Sequence, residues 1–305
     1  MKYSGTINFP FKELNRNGAI VIHSIHKLGE RFWYISAISL TDRPILGMVT
    51  GTEKTLLIDA GNSEEHVTYF IQELNKRGVP NPDVVVLTHW HWDHILGLSA
   101  LRDTVSLASK QTAAEMKKLL PYSWSDEAID ERVREGVEIE FCAKAIKEEY
   151  KDHRDIKVTL PDITIDKKAE IYLGGVTCIV QHVGGDHAED SVVVYIPEEK
   201  ILFLGDCIYP RMYAEKVHYT VDETLRLLDV LESFDAETYI PSHQQPISKV
   251  EFNQEVAMLR TLANYTKSCQ GDQLKITEHY RADVKRELTE DELETISYFV
   301  DGYKL

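Results

Sequence analysis

The sequence predicts an α/β fold, and three observations carry that prediction. Short apolar runs of strand length alternate with amphipathic stretches of helix length as far as about residue 249. A chain of 305 residues with 43% hydrophobic content can bury a large core, enough for one extended domain over residues 1–305. Side chains able to bind metal recur where apolar runs give way to loops, which is where open α/β sheets carry their sites.

Taken in order, residues 19–26, 32–39, 45–50 and 55–58 read as consecutive strands. Residues 64–77 read as a helix, with Ser63 as the side-chain cap and Gly78 as the stop. Residues 84–87 form a buried strand, and residues 95–98 open the next helix. Residues 110–155 are charged and helix-favouring, with Pro121, Tyr122 and Trp124 inside. This helical insertion would serve as a lid or as an oligomer contact, with Trp124 packing it against the body. Strands resume over residues 156–165 and continue through 195–204, and residues 221–233 form an amphipathic helix. Residues 250–305 are a helical tail without a ligand motif, and no repeat or low-complexity segment is evident.

The densest motif is LTHWHWDHILG, residues 87–97, where His89, His91, Asp93 and His94 fall within six positions. VTCIVQHVGGDHAEDSVVVY places His187 in a glycine-bearing turn between two strands, KILFLGDCIYP ends a strand at Asp206, and TYIPSHQQP sets His243 past another. Seven ligand-type residues at four strand ends are what a two-metal hydrolytic centre needs. One ion would be held mainly by histidines and the other by mixed oxygen and nitrogen ligands. Imidazole and carboxylate suit Zn²⁺ first, with Mn²⁺ and iron as alternatives. Cys207 adjoins Asp206, but neighbours on an extended segment point opposite ways, so only one of them faces a metal.

The order HxHxDH, GGxHxxDS, LGD and PSH resembles the metallo-β-lactamase-fold hydrolase superfamily from about residue 20 to residue 243. The resemblance implies a four-layer αββα sandwich with its site along one edge of the packed sheets. It implies that His89, His91 and His187 bind one ion, that Asp93, His94 and His243 bind a second, and that Asp206 bridges them beside a hydroxide. Asp59 in LLIDAGN matches a family aspartate that supports a ligand from behind; the alternative is that it caps a turn with Gly61. β-Lactam hydrolases commonly carry Cys or Ser where Asp206 stands, which argues against that activity. His91 replaces the Glu of oxygen-reducing relatives. Asp186 stands before His187 where Gly is usual, adding negative charge near the metals. Glyoxalase II-like thioesterases share the ligand set, but their glutathione-binding helical segment is not recognisable after His243.

Tyr209 lies at the offset where lactonase-like relatives place an active-site tyrosine, so it reads either as a hydrogen-bond donor to the reacting group or as packing. Arg211 and Tyr213 share its loop; Arg211 is a substrate contact or a solvated charge. Of Trp90 and Trp92, at least one packs into the body and the other walls the cleft against substrate. His23, His26, His66, His153, His182, His218 and His279 lack a companion cluster or the right offset.

A net charge of −16 disfavours nucleic acid and anionic membranes, since no basic patch beyond Lys117-Lys118 offsets it. Cys142, Cys178, Cys207 and Cys269 show no framework spacing, residues 1–18 lack a signal-peptide core, and no run reaches the ~20 apolar residues of a membrane helix. Together these predict a cytoplasmic protein with a small-molecule substrate, compatible with a homo-oligomer. The expected activity is hydrolysis of a small thioester, lactone or related ester at a dinuclear centre, with Asp93 and Tyr209 as catalytic groups. The alternatives are a phosphodiesterase or β-lactamase-like hydrolase, an iron-dependent oxidoreductase, and a non-catalytic metal-binding protein.

Overall fold

In the computed structural model, residues 12–14 and 20–305 are described, with side chains from His23 onward. The N-terminal stretch read for a leader, and residue 19 of the first expected strand, therefore lie outside the described residues apart from 12–14. β1 (Lys12–Leu14) pairs antiparallel with β2 (Ile20–Ile22).

One sheet runs in chain order through β3 (Ile25–Leu28), β4 (Phe32–Ile35), β5 (Leu46–Thr50), β6 (Thr55–Ile58), β7 (Val84–Val86), β8 (Val105–Ser109) and β9 (Ile163–Ile165). It is antiparallel as far as β6 and parallel from there. The other runs through β10 (Lys168–Tyr172), β11 (Thr177–His182), β12 (Val192–Ile196), β13 (Ile201–Gly205), β14 (Thr238–Pro241) and β15 (Ile247–Ser248), with β13 and β14 parallel.

Side-chain alternation divides the molecule into layers. Leu56, Ile58 and Val86 of the first sheet meet Val192, Val194, Ile201 and Phe203 of the second in one buried seam. The intervening residues Leu57, Val85 and Leu87 face away, onto helices. Val193, Leu202 and Leu204 do the same on the other side. A period of two along strands buried on both faces thus yields helices outside two packed sheets, an αββα sandwich.

The outer layer of the first sheet is α1 (Glu64–Asn75), α2 (Trp92–Ile95), α3 (Lys110–Leu119), α4 (Asp126–Arg134) and α5 (Glu140–Tyr150). α1 starts where the Ser63 hydroxyl accepts from His66 N–H, carries Glu64 and Glu65 in its first turn, and buries Val67, Phe70 and Leu74. α6 (Val221–Glu232), α7 (Lys249–Ser268), α8 (Gln273–Val284) and α9 (Glu290–Tyr303) cover the second sheet. No helix among the described residues is long and apolar enough to cross a membrane.

Four expectations need correction. The run 19–26 is not one strand: it breaks at residues 23–24, where the Ser24 carbonyl accepts from Ser36 N–H, and its two parts join different sheets. The run 32–39 stops as a strand at Ile35, because residues 38–43 close a tight turn through paired backbone bonds between Ile38 and Arg43. Residues 156–162 form no strand: Ile156, Val158 and Leu160 alternate onto the core beside the insertion helices without pairing, and strand begins only after Pro161. The helix after the HWHWDH motif opens at Trp92, inside the motif, and passes into a 3-10 turn at Leu96–Ala100. Gly97 permits that approach, since a Cβ there would lie 2.0 Å from the Ala60 carbonyl oxygen.

The α3–α5 region is bound to the body by polar groups as well as by packing. Arg43 donates to Glu149 from Nε (3.0 Å) and Nη2 (2.7 Å), and both side chains are fully buried. The Ser63 hydroxyl donates to the same carboxylate. Tyr150 donates to the Asn62 carbonyl at 2.9 Å, and Asn62 in turn donates to that of Thr41 at 2.7 Å. Trp124 is buried, with the Arg132 guanidinium 5.1 Å from its ring and 4.6 Å from that of Tyr122.

Removing one member of a buried ion pair strands the other, so Glu149→Ala should destabilise by about 3–5 kcal/mol, and Arg43→Met with Glu149→Leu by far less. Denaturant midpoints check both. In the tail, the Arg286 guanidinium bonded to Glu292 and the Thr289 N–H hold the Glu292 carboxyl down at about 2. A pKa depressed on folding stabilises at neutral pH, and that contribution is lost as pH falls from 4.5 towards 2. Glu292→Gln should flatten that stretch of the stability–pH curve, read from thermal melts at stepped pH.

Candidate metal centre

The ends of both sheets meet at one edge. His89 follows β7, Asp59 follows β6, Asp206 follows β13, His243 follows β14, and His187 lies in the loop after β11. Backbone bonds tie these ends together: Val192 N–H donates to Thr88 C=O at 2.8 Å, and Ser242 N–H to Gly205 C=O at 3.1 Å. Gly205 has φ +58, and this left-handed turn swings Asp206 to the edge while Cys207 drops into the core.

Two groups of ligand-type side chains result: His89, His91 and His187, and beside them Asp93, His94, Asp206 and His243. Asp206 Oδ2 is central, lying 3.2 Å from His243 Nε2, 3.3 Å from His94 Nε2, 3.5 Å from His187 Nε2 and 3.8 Å from His89 Nε2. His89 Nε2 and His91 Nδ1 are 3.0 Å apart. Asp93 Oδ2 lies 3.0 Å from His94 Nε2 and 3.2 Å from His243 Nε2. Ligand atoms about 2.0–2.1 Å from a tetrahedral ion stand roughly 3.3 Å from one another, which these spacings match. Asp93 Oδ2, His94 Nε2, His187 Nε2 and Asp206 Oδ1 are buried without a hydrogen-bond partner among the described residues. The residues present therefore fit divalent metal.

The two groups differ in charge. Burial, reinforced by the neighbouring imidazoles, holds His89 and His91 well below the ordinary imidazole range, and burial lowers His187 too. All three are neutral donors, the form in which histidine binds metal. At His94 and His243 burial acts the same way but is outweighed by Asp93, Asp206 and Asp59 or Asp42, which hold both well above that range. Those cations in turn keep Asp93 and Asp206 ionised despite burial.

Partners behind the rings hold their orientation. The Nδ1 atoms of His89, His187 and His94 lie 3.1 Å from Thr88 Oγ1, 3.1 Å from the Pro210 carbonyl and 2.8 Å from Asp59 Oδ2. Asp59 also accepts from Thr88 N–H (2.7 Å) and Oγ1–H (2.9 Å), with its own backbone at φ 62. Behind His243 stands Asp42, with Oδ1 3.4 Å from Nδ1. Burial, with Asp93 adding to it, pushes the Asp42 carboxyl up to about 7, and His243 opposes this. Sequence reasoning missed Asp42: it sits in a turn, TDRP, with no ligand-like neighbours in the chain.

Other expected site residues are placed less uniformly. Tyr209 lines the cleft, its ring 6.0 Å from that of His187 and 6.4 Å from that of His243, and its buried hydroxyl has no partner among the described residues. Burial raises its pKa, so it stays a donor. Trp92 is 3% exposed within the core and cannot meet substrate, because α2 begins at that residue and turns it inward. Trp90 packs against His91 and Tyr213, behind the cleft wall. Arg211 is turned away to Glu189 (2.8 Å) and the Asp186 carbonyl (3.3 Å), so Tyr213, which packs against the His91 ring, takes the wall position in that loop. Asp186 does not face the ligand groups: it accepts from Thr220 N–H (2.9 Å) and Oγ1–H (2.7 Å), serving the start of α6.

The groups open onto a cleft of about 1110 Å³. Ile139, Phe141 and Cys142 of the α4–α5 region form one wall, and Met258, Tyr280 and Glu294 of the tail another.

The family model for the metallo-beta-lactamase superfamily matches residues 47–243. The acyl-coenzyme A thioesterase MBLAC2 of Gallus gallus is 24% identical over 216 residues, 66% of this chain and 73% of that protein. The linear primary-alkylsulfatase of a Pseudomonas species is 22% identical over 237 residues, 68% of this chain but only 43% of that protein. Among solved structures, the sec-alkylsulfatase Pisa1 from Pseudomonas sp. superposes with a TM-score of 0.64 at 15% identity, covering 97% of this chain and 56% of that one. The DIM-1 metallo-beta-lactamase superposes with a TM-score of 0.56 at 20% identity, covering 80% and 98%. Zinc loading is expected to raise the melting temperature and chelation to lower it, since saturation at 100 times Kd stabilises by about 2.7 kcal/mol. Identical melts with and without zinc would count against ion binding here.

Proposed function

This chain belongs to the metallo-beta-lactamase superfamily, and from that premise we propose a hydrolase that holds two divalent ions and cleaves a small thioester, lactone or related ester. Zinc is the first choice of ion, manganese and iron the alternatives. One observation carries the reading: two adjoining groups of ligand-type side chains open onto a single cleft, and Asp206 of one group also lies 3.5 Å from His187 and 3.8 Å from His89 of the other. His89, His91 and His187 would hold one ion, Asp93, His94 and His243 the other, and Asp206 would touch both.

When bound, such ions supply Lewis acidity and bring the pKa of a coordinated water to about 7. Asp93, which lines the cleft beside His94 and His243, would orient the attacking water and carry its proton to the leaving group. Tyr209, kept protonated by burial, donates from its hydroxyl to the oxygen on which negative charge develops. The tail wall carries Glu251, Glu255, Asp291 and Glu294, and Arg286, the arginine among the described cleft-lining residues, is already paired with Glu292. That balance favours an uncharged ester over a phosphodiester, the second reading.

The test is initial-rate hydrolysis by zinc- and manganese-loaded protein of a thioester, a lactone, a phosphodiester and a β-lactam. One class should turn over. Asp206→Asn and His89→Ala should each reduce that rate well over tenfold with unchanged circular dichroism. Near-wild-type activity in metal-loaded His89→Ala would sink the assignment. Two bound metals with silence across the panel would favour a non-catalytic role, and a coloured, oxygen-consuming protein would favour iron redox chemistry.

A further inference from the structure

His94 and His243, the two histidines of the mixed group, are each backed through Nδ1 by an aspartate in left-handed backbone: Asp59 at φ 62 and Asp42 at φ 54. Asp adopts this conformation more readily than most residues, and here it turns a short carboxylate back onto a ring. A carboxylate behind Nδ1 keeps a hydrogen on that atom and aims Nε2 at Asp93 and Asp206, so that Nε2 is the atom that would give up its proton to bind metal. Asp59 is anchored within its own sheet by Thr88. The Asp42 carboxylate has no such anchor among the described residues; its turn closes on itself through the Ile38–Arg43 backbone bonds and is fastened from outside as well. Arg43 is clamped to Glu149 of α5, Ser63 bonds that same carboxylate, and the Thr41 carbonyl is held by Asn62, itself bonded to Tyr150 of α5. The residues on both sides of Asp42 are thus fastened to the α1 start and to α5.

We propose that Asp42 is a positioning residue for His243, and that α5 sets the affinity of the Asp93–His94–His243 ion position by holding the Asp42 turn through the Arg43–Glu149 pair. The proposal rests on the two-ion reading above. Its consequence is asymmetry: the three-histidine position, built from the loops at the sheet ends, reaches α5 among the described residues only through Tyr213 beside His91, whereas its neighbour depends on α5 being docked.

The experiment measures zinc content by mass spectrometry, and both affinities by competition with a graded chelator, alongside the melting temperature of metal-free protein. Asp42→Gly removes the carboxylate and accepts positive φ without strain. It should weaken one of two zinc ions about 10–100-fold, the range for loss of a group supporting a ligand, and leave the other unchanged. Asp42→Asn, which retains an acceptor oxygen, should recover much of the loss. Arg43→Met with Glu149→Leu should weaken the same ion without touching Asp42. Two ions bound with wild-type affinity by Asp42→Gly would overturn the proposal. So would equal weakening of both ions together with a lowered metal-free melting temperature, the mark of a purely structural role. Wild-type protein that fails to bind two ions overturns the two-ion reading and this proposal together. Intact hydrolysis and two tight ions in Asp42→Gly overturn this proposal alone.

Discussion

A cluster of ionised carboxylates and imidazoles buried at one sheet edge is the constraint around which the rest of this protein is arranged. Asp93 and Asp206 are each at most 4% exposed, and isolated charges at such depth cost many kcal/mol. They persist because cationic partners stand within bonding distance, and a bound divalent ion meets the same requirement more fully. Much of the local backbone serves that convergence. Gly97 brings the motif helix onto the loop after β6, Gly205 turns the end of β13 outward, and the Thr88 carbonyl joins the two sheets beside His89.

What the sequence made legible was local in the chain or repeated in period. His89, His91, Asp93 and His94 stand within one strand end and one short helix, so their spacing alone brings them together. His187, Asp206 and His243 were readable because each follows an apolar run, and strand ends gather at one edge of a layered sheet. The alternation of Leu56, Leu57 and Ile58, and of Ile201 to Leu204, announced strands with two buried faces.

The parts that stayed hidden depend on where long side chains go. Nothing in TDRP marks Asp42 as the partner of His243, or Arg43 as the partner of Glu149, because both relations arise only when distant segments stack. The fate of Trp92 was set by where α2 begins, one residue before Asp93. Arg211 found Glu189 within reach and left the cleft to Tyr213. Residues 156–162 imitated a strand because covering a core with an extended segment imposes the same alternation as pairing does. Hydrogen bonding, which distinguishes the two, has no signature in the apolar pattern.

The Arg43–Glu149 clamp also has a bearing on the order of events during synthesis. It joins residues 106 positions apart, and closing so long a loop costs entropy that only later contacts repay. A nascent chain emerging from its amino end displays the HWHWDH motif long before α5 exists to secure the Asp42 turn. His243 emerges later still. Three histidines and one carboxylate are therefore exposed early, beside one another, on a sheet not yet covered by its second half. During that interval the motif stands without the residues that complete its surroundings, so under the two-ion reading proposed above the timing of metal supply relative to chain completion would bear on which ion the finished site holds.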